Sequence, residues 1–216
     1  MGIDLVKGQK ISLAKDSGSK LNKVCVGLNW GAIETFRDKK EGGFLGFGGT
    51  TVKKRVMVEV DLDASCVLLN AQKQELEVVY FRNLKSKFGC VNHSGDDLTG
   101  DLDGDDGLDN EIISVELNHV PAEVDQIVFF LNSYKKQDFA DNPFATIRIY
   151  EGTPTRVDKV YANFDVANGA EFAGKISMVM GKFYRKGGEW KFSAIGEPTN
   201  DRDLRQTVET IINRFA

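Results

Sequence analysis

A mainly β protein, an antiparallel β-sandwich with acidic loops and a C-terminal helix, is what this sequence predicts. Three observations carry that expectation. Most apolar segments are short, rich in Val, Ile, Phe and Tyr, and bounded by turn residues. Several alternate apolar and polar positions, as a strand with one buried face does. Helical periodicity is confined to one stretch near the C-terminus.

Strands are expected at Leu21–Leu28, Val56–Leu62, Ala64–Leu69, Glu75–Phe81, Ile112–Leu117, Asp125–Leu131, Ala145–Tyr150, Lys159–Val166, Ile176–Arg185 and Trp190–Ile195. In the last of these, Trp190, Phe192 and Ala194 share one face. Lys186-Gly-Gly-Glu189 before it signals a hairpin turn. Many short strands at such spacing favour a sandwich. The helix is expected over 201–215. Leu204, Val208, Ile211, Ile212 and Phe215 form one apolar stripe, and Thr199, Asn200 and Asp201 offer capping oxygens. That stripe is expected to pack on the sandwich. Residues 37–54, glycine-rich and flanked by basic residues, read as an inserted flexible hairpin with Phe44, Leu45 and Phe47 as exposed apolar candidates. Its glycine spacing fits no phosphate-binding loop. At 216 residues the chain is expected to form a single domain over 1–216.

The net charge of −4 conceals an asymmetry. Between Phe88 and Tyr134 there are eleven acidic residues and no Lys or Arg, which leaves 28 basic against 21 acidic residues elsewhere. No run of like charge is long enough to make nucleic acid an expected partner. The N-terminus lacks a signal-peptide core, and no run approaches the ~18 apolar residues of a membrane helix. A cytoplasmic protein, or one peripheral at the inner membrane face, is expected. Three cysteines, Cys25, Cys66 and Cys90, suit neither a disulfide framework nor a zinc site, and read as buried thiols. Cys90, after Gly89, reads as the most accessible of them.

The chemistry concentrates in residues 95–111. Eight carboxylates lie there: Asp96, Asp97, Asp101, Asp103, Asp105, Asp106, Asp109 and Glu111. Gathering them without counter-charge leaves a repulsion that a hard divalent cation removes, and Ca²⁺ takes six to eight oxygen ligands. The loop is not an EF-hand. Counted from Asp101, position 6 is Asp106 rather than Gly and position 12 is Ile112 rather than Glu. Asp101, Asp103 and Asp105 alternate with Leu102 and Gly104. Gly95, Gly100, Gly104 and Gly107 permit sharp turns, and Thr99 can brace Asp97. Asp61 and Asp63, on one side of a strand, form a second acidic element expected to meet this loop in space. Eight acids exceed the need of one ion, so two Ca²⁺ are expected. Mg²⁺ keeps its waters, and the cluster lacks the His and Cys that transition metals favour.

The chain also resembles a known family. Val26-Gly-Leu-Asn-Trp30, Val60-Asp-Leu-Asp-Ala-Ser65, Asn83-Leu-Lys-Ser86, Val91-Asn-His-Ser-Gly-Asp-Asp-Leu-Thr-Gly100 and the following Asp-Leu-Asp-Gly-Asp-Asp106 resemble the TerD family of tellurium-resistance, calcium-binding stress proteins. Val120-Pro-Ala-Glu-Val-Asp-Gln-Ile127 and Phe183-Tyr-Arg-Lys-Gly-Gly-Glu-Trp-Lys-Phe192 fit as well, and Val6–Lys15 looks like the family's first strand. The resemblance implies a non-enzymatic Ca²⁺-binding β-sandwich. Asp61 and Asp63 look like the family's first acidic motif. Asp96, Asp97, Asp101, Asp103, Asp105 and Asp106 look like the second, with Glu111 near its end and Asn83 beside it, either to contribute an amide oxygen or to orient a ligand. Partners implied are other tellurium-resistance proteins and a membrane component of the same system. Gly95-Asp96-Asp97 stands where the family has glycine-aspartate-asparagine, and Gly107–Asn110 and the 37–54 hairpin are longer, as in a paralogue. Two rival functions remain on the residues alone. One is a metal-dependent hydrolase or phosphotransferase built on the Asp cluster, for which His93 is a candidate base, although a structural hydrogen-bonding role is the expected one for that residue. The other is tellurite chemistry at a cysteine.

Overall fold

Backbone pairing sorts most of the strands into two six-stranded sheets in this computed structural model, which describes residues 3–4, 8–12, 21–41, 50–165 and 170–216. The first sheet runs β1 (Ile3–Asp4), β12 (Arg156–Asp165), β11 (Ala145–Thr153), β3 (Lys23–Trp30), β9 (Glu111–Glu116), β8 (Val91–His93). The second runs β2 (Lys10–Ser12), β14 (Glu189–Thr199), β13 (Ser177–Lys186), β10 (Gln126–Ser133), β6 (Leu62–Leu69), β7 (Glu75–Val79). Within these sheets every pairing is antiparallel except β1 with β12.

The inner faces meet in one core. Val24, Val26, Leu28 and Trp30 of β3 pack in the same cluster as Leu62, Ala64, Cys66 and Leu68 of β6 and Ile127, Phe129 and Leu131 of β10. Phe129 and Phe183 stack edge to face with ring centroids 4.8 Å apart. Burying each such aliphatic side chain contributes about 1.5–3 kcal/mol. Trp190, Phe192 and Ala194 join this core, as their shared face predicted. At the hairpin before them, Gly187 and Gly188 have φ of 62° and 76°, the left-handed pair that a tight two-residue turn needs.

The opposite face of β6 and β10 is also apolar. Val67, Leu69, Val128 and Phe130 are covered by helix α1 (Leu204–Thr210) and the π-helical turn Ile211–Phe215, through Val208 and Ile211. The C-terminal stripe therefore packs on the sheet, as expected. Its start is later than the sequence indicated. Thr199 ends β14, and Asp203 is the cap, its carboxylate accepting from the Gln206 N–H at 2.9 Å. Asp201 instead accepts from the Thr210 hydroxyl at 2.8 Å. Pro198 does not stop β14, because among the described residues the outer edge of β14 is paired by β2 only at 191–193, away from the proline.

Two further differences concern the hairpin. The stretch expected as one strand at Val56–Leu62 is divided: its first three residues end β5 (Thr50–Val58), and β6 begins at Leu62. β5 pairs with β4 (Ile33–Glu41), which the sequence did not mark because its residues are charged on both faces. The two form a ribbon separate from both sheets. Phe44, Leu45 and Phe47 lie outside the described residues. Short β1, β2 and β8 also escaped periodicity, being three residues or fewer. No helix among the described residues is long and apolar enough to cross a membrane.

Candidate metal centre

The acidic loop is stitched to both sheets before any ion is considered. The Asp101 backbone N–H donates to the Trp30 carbonyl at 3.0 Å, and its carbonyl accepts from the Ala32 N–H at 2.9 Å. The Thr99 carbonyl accepts from the Val60 N–H at 3.0 Å, so the loop also reaches the segment entering β6. Trp30 locks this junction, its indole N–H donating to the Val60 carbonyl at 2.9 Å. Gly100, at φ 65°, lies flat on that ring, and a Cβ there would sit 2.6 Å from it. Gly95, Gly104 and Gly107 also take positive φ, the sharp turns that the sequence required.

Two acidic groups result. In the first, Asp61, Asp63 and Asp96 each place a carboxylate oxygen within 4.8 Å of the others. Asp61, just before β6, and Asp63, within it, do meet the loop in space, as expected. Asp61 is 3% exposed, and its Oδ1 is buried with no hydrogen-bond partner. Its Oδ2 stands 4.0 Å from the Lys135 ammonium. Burial raises the Asp61 pKa, with Lys135 opposing and Asp96 and Asp97 adding to it. Asp63 is pushed up to about 8, first by burial and then by Glu111, Asp61 and Asp96. In the second group, Asp101, Asp105 and Asp106 approach equally closely on the open loop. Their oxygens are already engaged: Asp101 by the Asp106 N–H, Asp105 by the Gly107 N–H and Asp106 by the Leu108 N–H.

The other predicted ligands divide differently. Asp97 braces the loop, its Oδ1 accepting from the Thr99 N–H, the Thr99 hydroxyl and the Gly100 N–H at 2.9–3.1 Å. Burial opposes its ionisation, but these donors outweigh burial and hold its pKa low. Asp103 is exposed and joins neither group. Glu111 is fully buried and acts as a clasp. Its Oε2 accepts from the Ala64 N–H at 2.7 Å and its Oε1 from the Asp97 N–H at 3.2 Å, joining β6 to the loop. His93 accepts the Gly95 N–H on Nδ1, leaving Nε2–H to donate to the Ala64 carbonyl at 3.0 Å. These two side chains serve a length of β6 that β7, paired only from Cys66 onward, does not reach. Asn83 is elsewhere, donating to the Val78 carbonyl at 2.7 Å. Cys90 is as buried as Cys25 and Cys66. Burial pushes all three thiols up, Cys25 to about 11, which disfavours the thiolate.

Several contributors escaped the sequence reading. Asp109 is clamped by Arg148 of β11 at 3.0 Å, in space left by Gly27, where a Cβ would fall 2.0 Å from the carboxylate. Counter-charge to the acidic window thus comes from Arg148 and Lys135, outside it in sequence. Asn29 donates to Asp105 at 2.9 Å, while its own Oδ1 is buried and unpartnered. A polar amide within an apolar strand was the signal available. Leu98, Leu102 and Leu108 project from the loop, 54%, 40% and 66% exposed.

The donor set fits a hard cation. Each group consists of oxygen donors, and beside each lies an orphaned buried oxygen, Asp61 Oδ1 for the first and Asn29 Oδ1 for the second.

Comparison with known proteins agrees with the motifs. The TerD domain model matches residues 1–210. The chain is 38% identical to stress response protein SCP2 of Bacillus subtilis, covering all of both chains. It is 34% identical to tellurium resistance protein TerZ of Serratia marcescens, covering 98% of this chain and 97% of that one. It is 33% identical to tellurium resistance protein TerD of the same organism over 91% of each. A crystal structure of a homologue of telluride resistance protein (TerD) from Streptomyces coelicolor shares the fold at TM-score 0.56 and 18% identity, covering 87% of this chain and 95% of that one. A crystal structure of a protein of unknown function aligns at TM-score 0.60 and 19% identity over 89% and 95%. Matched by the domain model from residue 1 to 210, and by full-length relatives at a third identity or more, the chain belongs to the TerD family.

Proposed function

We propose that this protein is a non-enzymatic Ca²⁺-binding member of a bacterial tellurite and stress-resistance system, acting as a calcium-dependent interaction module. One observation carries the reading. A carboxylate oxygen of Asp61 is buried without a partner among three converging carboxylates, a costly arrangement unless a cation meets it. Asp61, Asp63 and Asp96 would hold one ion, and Asp101, Asp105 and Asp106, with Asn29, a second. Calcium would supply the positive charge that these groups lack. Asp63 would then stay ionised at neutral pH, and the loop would be fixed against β6 by its own side chains. Leu98, Leu102 and Leu108 would thereby be held in one arrangement on the surface, where a partner can read them. Its partners would be other tellurium-resistance proteins and a membrane component of the same system, met in the cytoplasm or at the inner membrane face; support for the system comes from relatives that are named tellurium resistance proteins.

The test is calorimetric Ca²⁺ titration of chelator-stripped protein, with a Mg²⁺ control and a thermal melt of each form. Saturable binding of two ions at roughly 10⁻⁷–10⁻⁵ M, with a raised melting temperature, is expected. The absence of saturable heat and of a melting shift overturns the proposal. Pulldown of partners that persists unchanged in chelator overturns the switching part alone.

A further inference from the structure

The ribbon of β4 and β5 stands apart from the core that the other strands build. From Phe36 to Glu41 every residue of β4 is exposed, and so are Thr50, Thr51, Lys53, Lys54 and Arg55 across from them. Neighbouring residues of a strand point to opposite faces, so both faces of this stretch are open. A two-stranded ribbon bare on both sides is marginal in water. At ~3.3 Å per residue, Lys40 lies ~20 Å along the strand from Glu34. The charged half of the ribbon is therefore an arm, and no part of the sandwich covers it.

The arm is basic. Over 33–41 and 50–58 there are six basic residues, Arg37, Lys39, Lys40, Lys53, Lys54 and Arg55, against three acids, Glu34, Asp38 and Glu41. Two of the acids are engaged, Glu34 by Arg55 at 2.8 Å and Glu41 by Lys39 at 3.0 Å. Among the described residues, that leaves Arg37, Lys40, Lys53 and Lys54 against Asp38, which faces Lys53 across the ribbon. Arg37 and Lys54 stand directly opposite each other, a like-charge pair that weakens a free ribbon.

An anionic surface would relieve that repulsion, and the placement of the arm selects its kind. The base of the ribbon adjoins the acidic loop: Gly31 bridges to Asp101, and Asp103 lines one cleft with Arg55. A long polyanion lying along the ribbon would run onto those carboxylates. A bilayer touches only the far end, where Lys40 is more than two Debye lengths from the base, each ~8 Å at physiological salt. By sequence, the eight residues that join the two strands carry no charge and include Phe44, Leu45 and Phe47. Apolar content beside basic residues suits the boundary between headgroups and acyl chains.

We propose that the arm of β4 and β5 docks this protein on an anionic lipid bilayer, with Arg37, Lys40, Lys53 and Lys54 meeting lipid phosphates. This goes beyond the location proposed above by naming the element that makes the contact. The calcium reading does not need the arm. A test in chelator keeps the two apart, and it prevents calcium from bridging loop carboxylates to lipid.

The experiment is flotation of the full chain, in chelator, with phosphatidylcholine vesicles that contain either no phosphatidylglycerol or about a third of it. Binding to the anionic vesicles is expected to be at least about tenfold tighter than to the neutral ones, and to fall with salt. Lys40→Gln/Lys53→Gln/Lys54→Gln is expected to weaken it about a hundredfold, with a melting temperature no lower than the parent's. A control that removes the same charge from exposed positions elsewhere, Lys85→Gln/Lys136→Gln/Lys186→Gln, is expected to change it less than about threefold. Equal binding to both vesicles, undiminished binding by the arm variant, or an equal loss in the control each overturns the proposal. So does tighter binding to a DNA duplex than to the anionic vesicles. A salt-sensitive dimer that the arm variant abolishes also overturns it, by assigning the arm to a second copy of the chain.

Discussion

Each of the two acidic groups is three aspartates, yet they are in opposite states. Asp61, Asp63 and Asp96 crowd at a sheet end, with two of the three buried, and burial raises Asp61 and Asp63 above ordinary carboxylates. Asp101, Asp105 and Asp106 lie on an open loop and accept N–H groups of that same loop. Burial also raises Asp101, but Asn110 and the Asp106 N–H oppose it. The lesson is that clustering alone does not create a demand for a cation. Clustering combined with burial and unmet hydrogen bonding does.

That contrast can be broken at the clasp between the two regions. Glu111→Ala removes the acceptor of the buried Ala64 N–H and the loop's Asp97 N–H together. A loss of about 4 kcal/mol is expected in denaturant unfolding, together with loss of both cation groups. Next in size is Arg148→Met, which leaves the Asp109 carboxylate buried and unpaired. About 3 kcal/mol of destabilisation is expected, and Asp109→Asn in the same chain should restore part of it.

The inner group should announce itself through pH. Asp63 in the folded protein titrates near 8, whereas in the unfolded chain it titrates near ~3.9. Between those values the folded state holds a proton that the unfolded state has released, so in chelator stability falls as pH rises through the window. Asp63→Asn should flatten that slope and, at the alkaline end, be more stable than the parent by on the order of 2 kcal/mol. In calcium the order should reverse. Thermal melts across pH, with and without Ca²⁺, read both effects. The smallest effect is expected at the outer group. Asp105→Asn/Asp106→Asn should change chelator-treated stability by no more than about 0.5 kcal/mol while removing one ion from the calorimetric count.

Much of the frame was legible because burial leaves a periodic trace. Trp190, Phe192 and Ala194 gave away their inward face, and Leu204, Val208 and Ile211 gave away the packing of the helix. β4 left no such trace, since Glu34, Arg37, Asp38, Lys39 and Lys40 serve a ribbon stabilised by pairing rather than by burial. The acidic loop was legible as a region, and so was its meeting with Asp61 and Asp63. The division of labour within it was not. Nothing in one-dimensional spacing separates Asp96, which joins Asp61 and Asp63, from Asp97, which braces a turn.

The sequence by itself determined that acids gather in one loop, that strands alternate around a core, and that the chain carries the motif order of its family. Those properties follow from composition and local period. Only the tertiary structure decided which carboxylates are strained. Arg148 and Lys135 bring counter-charge from outside the acidic window, Gly27 opens room for Asp109, and Glu111 is used up in holding β6 to the loop. Electrostatic need depends on burial and on distances across the sheets, and those exist only once the chain has folded.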